Sequence, residues 1–184
     1  MADDSFFGTE DYEVPSSKGA YMKFEKGENK FRFLSKPILG NGFWIVNAEG
    51  KKQPVRMRMT ETISVAEVPD GEIPKHFWAA AVWNYATSQV QILEITQKSV
   101  QKEITRLTKN PKWGAPTGYD LNVSKSGDGM KTEYAVTPDP KEAVAPEITE
   151  AYAAKPVNLE ALYDNADPFT TAATQPDVSD VPFG

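Results

Sequence analysis

Phe77-Trp78-Ala79-Ala80-Ala81-Val82-Trp83-Asn84-Tyr85, followed after Ala86-Thr87-Ser88-Gln89 by Val90-Gln91-Ile92-Leu93-Glu94-Ile95, decides the fold class. Both runs are rich in aromatic and β-branched residues and are separated by a short polar stretch, the pattern of two strands joined in a hairpin. Pairing Tyr85 with Val90 sets 83 opposite 92, 82 opposite 93 and 80 opposite 95. One face then carries Trp78, Ala80, Val82, Leu93 and Ile95, an apolar set expected in the core. The other carries Phe77, Ala79, Ala81, Trp83 and Tyr85 against Ile92, Glu94 and Thr96. Aromatics separated by alanines on the more polar face suit a surface on which nucleic-acid bases stack. The same spacing suits aromatics packed beneath a helix or the C-terminal segment.

Outward from this hairpin the chain reads as short strands and turns. Residues 21–24, 30–34, 43–46 and 55–59 are expected strands, with turns at Gly27-Glu28-Asn29 and Gly40-Asn41-Gly42. In the last of these Val55, Met57 and Met59 alternate with Arg56 and Arg58, a period of two. Residues 65–74 read as a loop. A helix is expected from about Gln97 to Lys109, with Thr96 as N-cap, Val100, Ile104 and Leu107 as its apolar stripe and Asn110-Pro111 as its stop. Two further strands, 119–125 and 131–137, follow, and short helices are expected at 146–154 and 158–163. The result is an all-β body with one main helix, compatible with an OB-fold Greek-key barrel but also with other barrels and sandwiches. Four segments emerge: an acidic N-terminal stretch 1–17, a body 18–141, a short helical segment 142–163, and a polar acidic tail 164–184 expected to be disordered.

The net charge of −6 divides unevenly along the chain. Residues 1–17 carry five acids and no base, residues 18–141 carry 19 Lys/Arg against 13 Asp/Glu, and residues 142–184 carry eight acids and only Lys155. A basic middle between acidic ends suits a body that meets a polyanion, flanked by segments able to mimic one. The tail is accordingly expected to compete with DNA for the body as a tethered polyanion. The absence of cysteine excludes disulfides and thiolate chemistry, and the single histidine, His76, removes most imidazole-based metal and acid–base schemes. Gly27, Gly40 and Gly42 read as turn glycines, not as a phosphate loop ending in Gly-Lys-Ser/Thr. Clustered carboxylates of the kind a metal-dependent nuclease needs are not found on a shared face. No apolar run approaches the about 18 residues of a membrane span, and the N-terminus does not read as a signal peptide, so a soluble, intracellular chain without cofactor or metal is expected.

Bases interleaved with aromatics are the chemistry that remains. Single strands are held by cationic grooves and aromatic faces together. Lys30 and Arg32 on one strand and Arg56 and Arg58 on another form either solvated basic faces or phosphate tracks. Trp44 and Trp113 sit beside loops. With Phe77, Trp83 and Tyr85, and with Lys23, Lys125 and Lys131, they complete the candidate DNA-binding set.

The order of several stretches resembles phage single-stranded-DNA-binding proteins of the helix-destabilising type. These stretches are residues 77–85 and 90–101, Trp113-Gly114 followed by Pro116, Tyr119-Asp120-Leu121, and Lys131-Thr132-Glu133-Tyr134-Ala135-Val136-Thr137-Pro138. Gly27-Glu28-Asn29 before Phe31-Arg32-Phe33-Leu34 is similar to that family's first strand. The resemblance, over about residues 20–138, implies an OB-fold that coats single-stranded DNA in replication, recombination and repair, in the cytoplasm of an infected bacterium. It departs from members that carry a structural zinc, because this chain lacks cysteine. The C-terminal Asp177, Asp180, Val181, Pro182 and Phe183 resemble the acidic tip by which bacterial single-strand binders recruit a polymerase, helicase or nuclease, although Gly184 displaces the terminal carboxylate from Phe183. The alternative reading is a phage structural or interaction barrel whose basic face meets acidic protein.

Overall fold

The structure, a computed structural model, describes residues 19–169. The acidic segment 1–17 and the tip residues Asp177, Asp180, Val181, Pro182 and Phe183 lie outside the described residues. Eight strands, β1 (Tyr21–Met22), β2 (Gly27–Phe33), β3 (Ile38–Val46), β4 (Lys52–Arg58), β5 (Lys75–Asn84), β6 (Gln89–Ile95), β7 (Leu121–Ser126) and β8 (Glu133–Pro138), form one sheet. Two helices, α1 (Lys98–Lys109) and α2 (Pro146–Ala154), accompany it. The body is thus mostly β, with one main helix where the apolar stripe and the Asn110-Pro111 stop place it. None of these helices is long and apolar enough to cross a membrane.

β5 is the hub. One edge pairs with β6 from Trp78 to Asn84, while the other pairs with β3 along its first half and β2 along its last three residues. The sheet continues from β2 to β7 and β8, and β1 adds in parallel to the far side of β6. The β5–β6 hairpin closes with Trp83 opposite Val90 and Ala80 opposite Leu93, two residues from the register expected. Asn84 tightens the loop: its carbonyl accepts from the Ser88 N–H at 2.8 Å and its side-chain oxygen from the Ala86 N–H at 3.0 Å. A slip of two preserves the faces, because side chains alternate with period two.

The inner face therefore forms the main core as expected. Ala80, Val82, Leu93 and Ile95 pack with Phe31, Phe33, Tyr119, Leu121 and Val123, and α1 covers them with Val100, Ile104 and Leu107. Trp78 is only partly buried against this core, and its indole N–H donates to His76 Nε2 at 3.2 Å. Thr96 does not cap α1; the capping position is Gln97.

The two expected glycine turns are in fact strand. β2 begins at Gly27, and β3 runs straight through Gly40-Asn41-Gly42. A Cβ at Gly40 would lie 2.1 Å from the Met57 carbonyl oxygen and 2.8 Å from the Phe77 ring, so glycine is needed for close packing, not for turning. On the Val55/Met57/Met59 face, Val55 and Met57 are half-buried and Met59 is 54% exposed.

Residues 142–163 hold the expected short helices, α2 and a 3-10 turn at Leu159–Asp164, but they are no appendage. Leu162 is buried with Phe77, Ala79 and Ile92 in a second core on the outer face of β5–β6, edged by Val157, Leu159, Tyr163 and Phe169. Residues 164–169, expected in the disordered tail, are part of this packing: Pro168 is buried and its carbonyl accepts from the Asn158 N–H at 2.8 Å.

Candidate nucleic-acid interface

The outer face of the hairpin, offered by its spacing either to stacking or to packing, is divided between the two. Phe77 is 1% exposed beneath Leu162 and Tyr163, so its ring is not available to a base. Trp83 and Tyr85 remain half-buried and line a depression of about 320 Å³ with Lys30 and Arg32. That depression is acidic as well as basic, with Asp120, Glu142 and Glu147 in its walls.

Arg32 is committed within it. The side chain is 3% exposed, and it donates from Nε to the Thr117 carbonyl at 2.9 Å, from Nη1 to Asp120 Oδ1 at 3.3 Å and from Nη2 to the Glu142 carbonyl at 2.6 Å. The Tyr85 hydroxyl donates to the same Asp120 oxygen at 2.8 Å; burial, and then this bond, push the phenol well above its ordinary pKa. Lys30 lies 3.4 Å from Asp139 and 3.7 Å from Asp120, over the Tyr85 ring. Alternation of bases with phenylalanines in β2 was compatible with a phosphate track; instead it ties β2 to the 117–142 region.

Other candidates are also engaged elsewhere. Arg58 stacks over Tyr163 and pairs with Glu61 and Glu160. Trp113 packs on the main core, edge-on to Tyr119. Lys131 is exposed in the β7–β8 connection and is not among the residues that line the groove holding the remaining candidates.

Lys23, Trp44, Arg56 and Lys125 are brought together. They line a groove of about 1120 Å³ built from the residues around β1, the β3–β4 hairpin, the start of β5, the β6–α1 junction and the facing ends of β7 and β8. Six cations border it, Lys23, Lys51, Lys52, Arg56, Lys75 and Lys125, against two carboxylates, Glu72 and Glu94. Arg56 is held structurally: Nη2 donates to Glu94 Oε2 at 2.8 Å and Nε to Oε1 at 3.2 Å. Burial opposes its charge, but these bonds outweigh that and keep its pKa above the ordinary value. By contrast Lys23, Lys52 and Lys75 are exposed and have no ion pair among the described residues. Lys125 reaches the Phe24 carbonyl at 3.4 Å and lies 6.0 Å from the Tyr134 ring centre.

The hairpin places its groups by local chemistry. Asn47 Oδ1 accepts from the Glu49 and Lys51 N–H groups, and Gly50 takes φ +79°, so the β3–β4 turn is tight and projects Lys51 and Lys52 at the groove's mouth. Trp44 pairs with Pro54, which has no N–H to give, and the residue is 49% exposed on the groove wall. Its own N–H donates to Glu72 Oε2 at 3.4 Å across the groove. Lys51, Lys52, Lys75 and Tyr134 were not among the candidates from sequence. Only a hairpin drawn across 47–51 would have placed the Lys51-Lys52 pair beside Trp44.

Comparison with protein-family models, with curated proteins and with solved structures gives no match.

Proposed function

We propose that the chain binds single-stranded DNA without sequence preference and without catalysis, in the groove between the β3–β4 hairpin and the ends of β5, β7 and β8. One observation carries this reading: six cations against two carboxylates around a groove whose wall exposes a tryptophan face. Charges of one sign focused in a cleft concentrate a polyanion there, and a base stacked on an aromatic ring contributes ~1–3 kcal/mol. Phosphates lie against Lys23, Lys51, Lys52, Lys75 and Lys125, and a base stacks on Trp44. The OB-fold belongs to the same proposal, supported by a sheet branched at β5 whose inner face forms the main core with α1. Service in phage replication, recombination and repair inside a bacterial host, with partners recruited through the acidic tip, is proposed on the resemblance alone.

The test is the salt dependence of a variant. Lys52→Gln with Lys75→Gln removes two exposed, unpaired charges, so binding of oligo(dT) weakens and the slope of log K against log salt becomes shallower by about 1.4, at ~0.7 per phosphate contact. An unchanged slope, or equal affinity for an acidic peptide and for oligo(dT), contradicts single-strand binding here.

A further inference from the structure

The exposed side of α1 is as basic as the groove. Lys98, Lys102, Arg106 and Lys109 fall within about 80° of arc at 3.6 residues per turn, opposite the buried Val100, Ile104 and Leu107. All four are exposed, and Lys112 extends the row beyond the helix end. Glu103 is the only acid in α1, and it is held by Arg106. Lys98, Lys102, Lys109 and Lys112 have no ion pair among the described residues.

Two further observations separate this face from an ordinary solvated one. Solvent faces of helices usually intersperse both signs, with acids in the first turn to offset the positive end of the helix dipole. Here the first turn has no acid and begins with Lys98, so side chains and dipole reinforce each other. The row also starts next to the groove along the chain: Thr96 and Gln97, the two residues that precede Lys98, are in the groove's wall.

We infer that α1 is a second phosphate track, which takes the strand as it leaves the groove at Thr96–Gln97 and guides it past Lys98, Lys102 and Lys109 toward Lys112. This rests on the groove reading and extends it. The helix is about 18 Å long, enough for about five nucleotides at the 3.4 Å spacing of a stacked strand. The groove thus binds short strands alone, and α1 adds affinity only once a strand outgrows it.

The experiment is a length series of oligo(dT), from about 4 to about 24 nucleotides, titrated against the full chain and the triple variant Lys98→Gln, Lys102→Gln, Lys109→Gln. All three side chains are exposed, and an unchanged melting temperature confirms that the fold is intact. The expected result is equal affinity for the shortest strands that bind, then a divergence over about five added nucleotides to roughly tenfold weaker binding at low salt, with a salt slope lower by about 2 on long strands only. Identical curves at every length overturn the track. A loss already complete on the shortest strands also overturns it, since α1 would then belong to the primary site. If the unaltered chain binds no oligonucleotide of any length, the groove reading itself fails.

Discussion

Arg32→Ala lowers the stability of the fold by roughly 3–5 kcal/mol, the cost of stripping one partner from a buried ion pair. Asp120, itself 8% exposed, loses the guanidinium beside it, and the Thr117 and Glu142 carbonyls each lose a donor. Lys30, 3.7 Å from Asp120 and 47% exposed, is too distant and too hydrated to compensate in full. Urea unfolding measures the loss, while the affinity of the folded fraction for single strands stays the same. A stability change under about 1 kcal/mol, of the size expected for an exposed charge, together with weakened DNA binding, would return Arg32 to the phosphate-contacting set.

Phe77→Ala is expected to cost a similar roughly 3–5 kcal/mol, through lost apolar burial and the cavity that remains. The Phe77 ring fills the space above Gly40, at which a Cβ would collide with it, and beneath Leu162 and Tyr163. Neither side can collapse easily, because β3 is held at Gly40 by pairing with both β4 and β5. The same packing makes truncation position-sensitive. A chain ending at residue 163 loses Pro168 and the Phe169 ring, which lies 4.5 Å from Lys155 Nζ, and melts at a lower temperature than a chain ending at residue 169. Equal melting temperatures, or a Phe77→Ala variant of full stability with impaired DNA binding, would mean that the outer face of the hairpin is open after all.

The periodicity of the hairpin carried more information than its turn. Two faces could be assigned from alternation, and the assignment survives a register displaced by two because parity, not register, decides which side a residue takes. The α1 stripe was legible for the same reason, and so were the starts of the two C-terminal helical turns at Pro146 and Asn158. What alternation cannot supply is the partner of a face. Phe77 and Trp83 have the same spacing and the same strand, yet one lies under the 3-10 turn at Leu159–Asp164 and the other borders an open depression. The expectation of a tail beginning at 164 failed because polar composition hid two anchors, Pro168 and Phe169. Arg32 and Arg58 show that a base on an alternating strand does not reveal whether a distant acid awaits it; Asp120 and Glu160 are 88 and 102 residues away. Gly40 and Gly42 misled because glycine at a turn and glycine under a ring leave the same letter in the sequence.

The central claim is that the exposed Trp44 ring stacks on a base in the lysine-lined groove. Trp78 and Trp113 are packed against the main core and Trp83 borders the depression whose cations are paired with acids, so quenching by DNA should come from Trp44 alone. Oligo(dT) titrated at low salt is predicted to quench the intrinsic tryptophan fluorescence, and Trp44→Phe to abolish most of that quench while keeping the fold and much of the affinity. Quenching that persists undiminished in Trp44→Phe, or no response of the unaltered chain at saturating oligo(dT), would contradict the account.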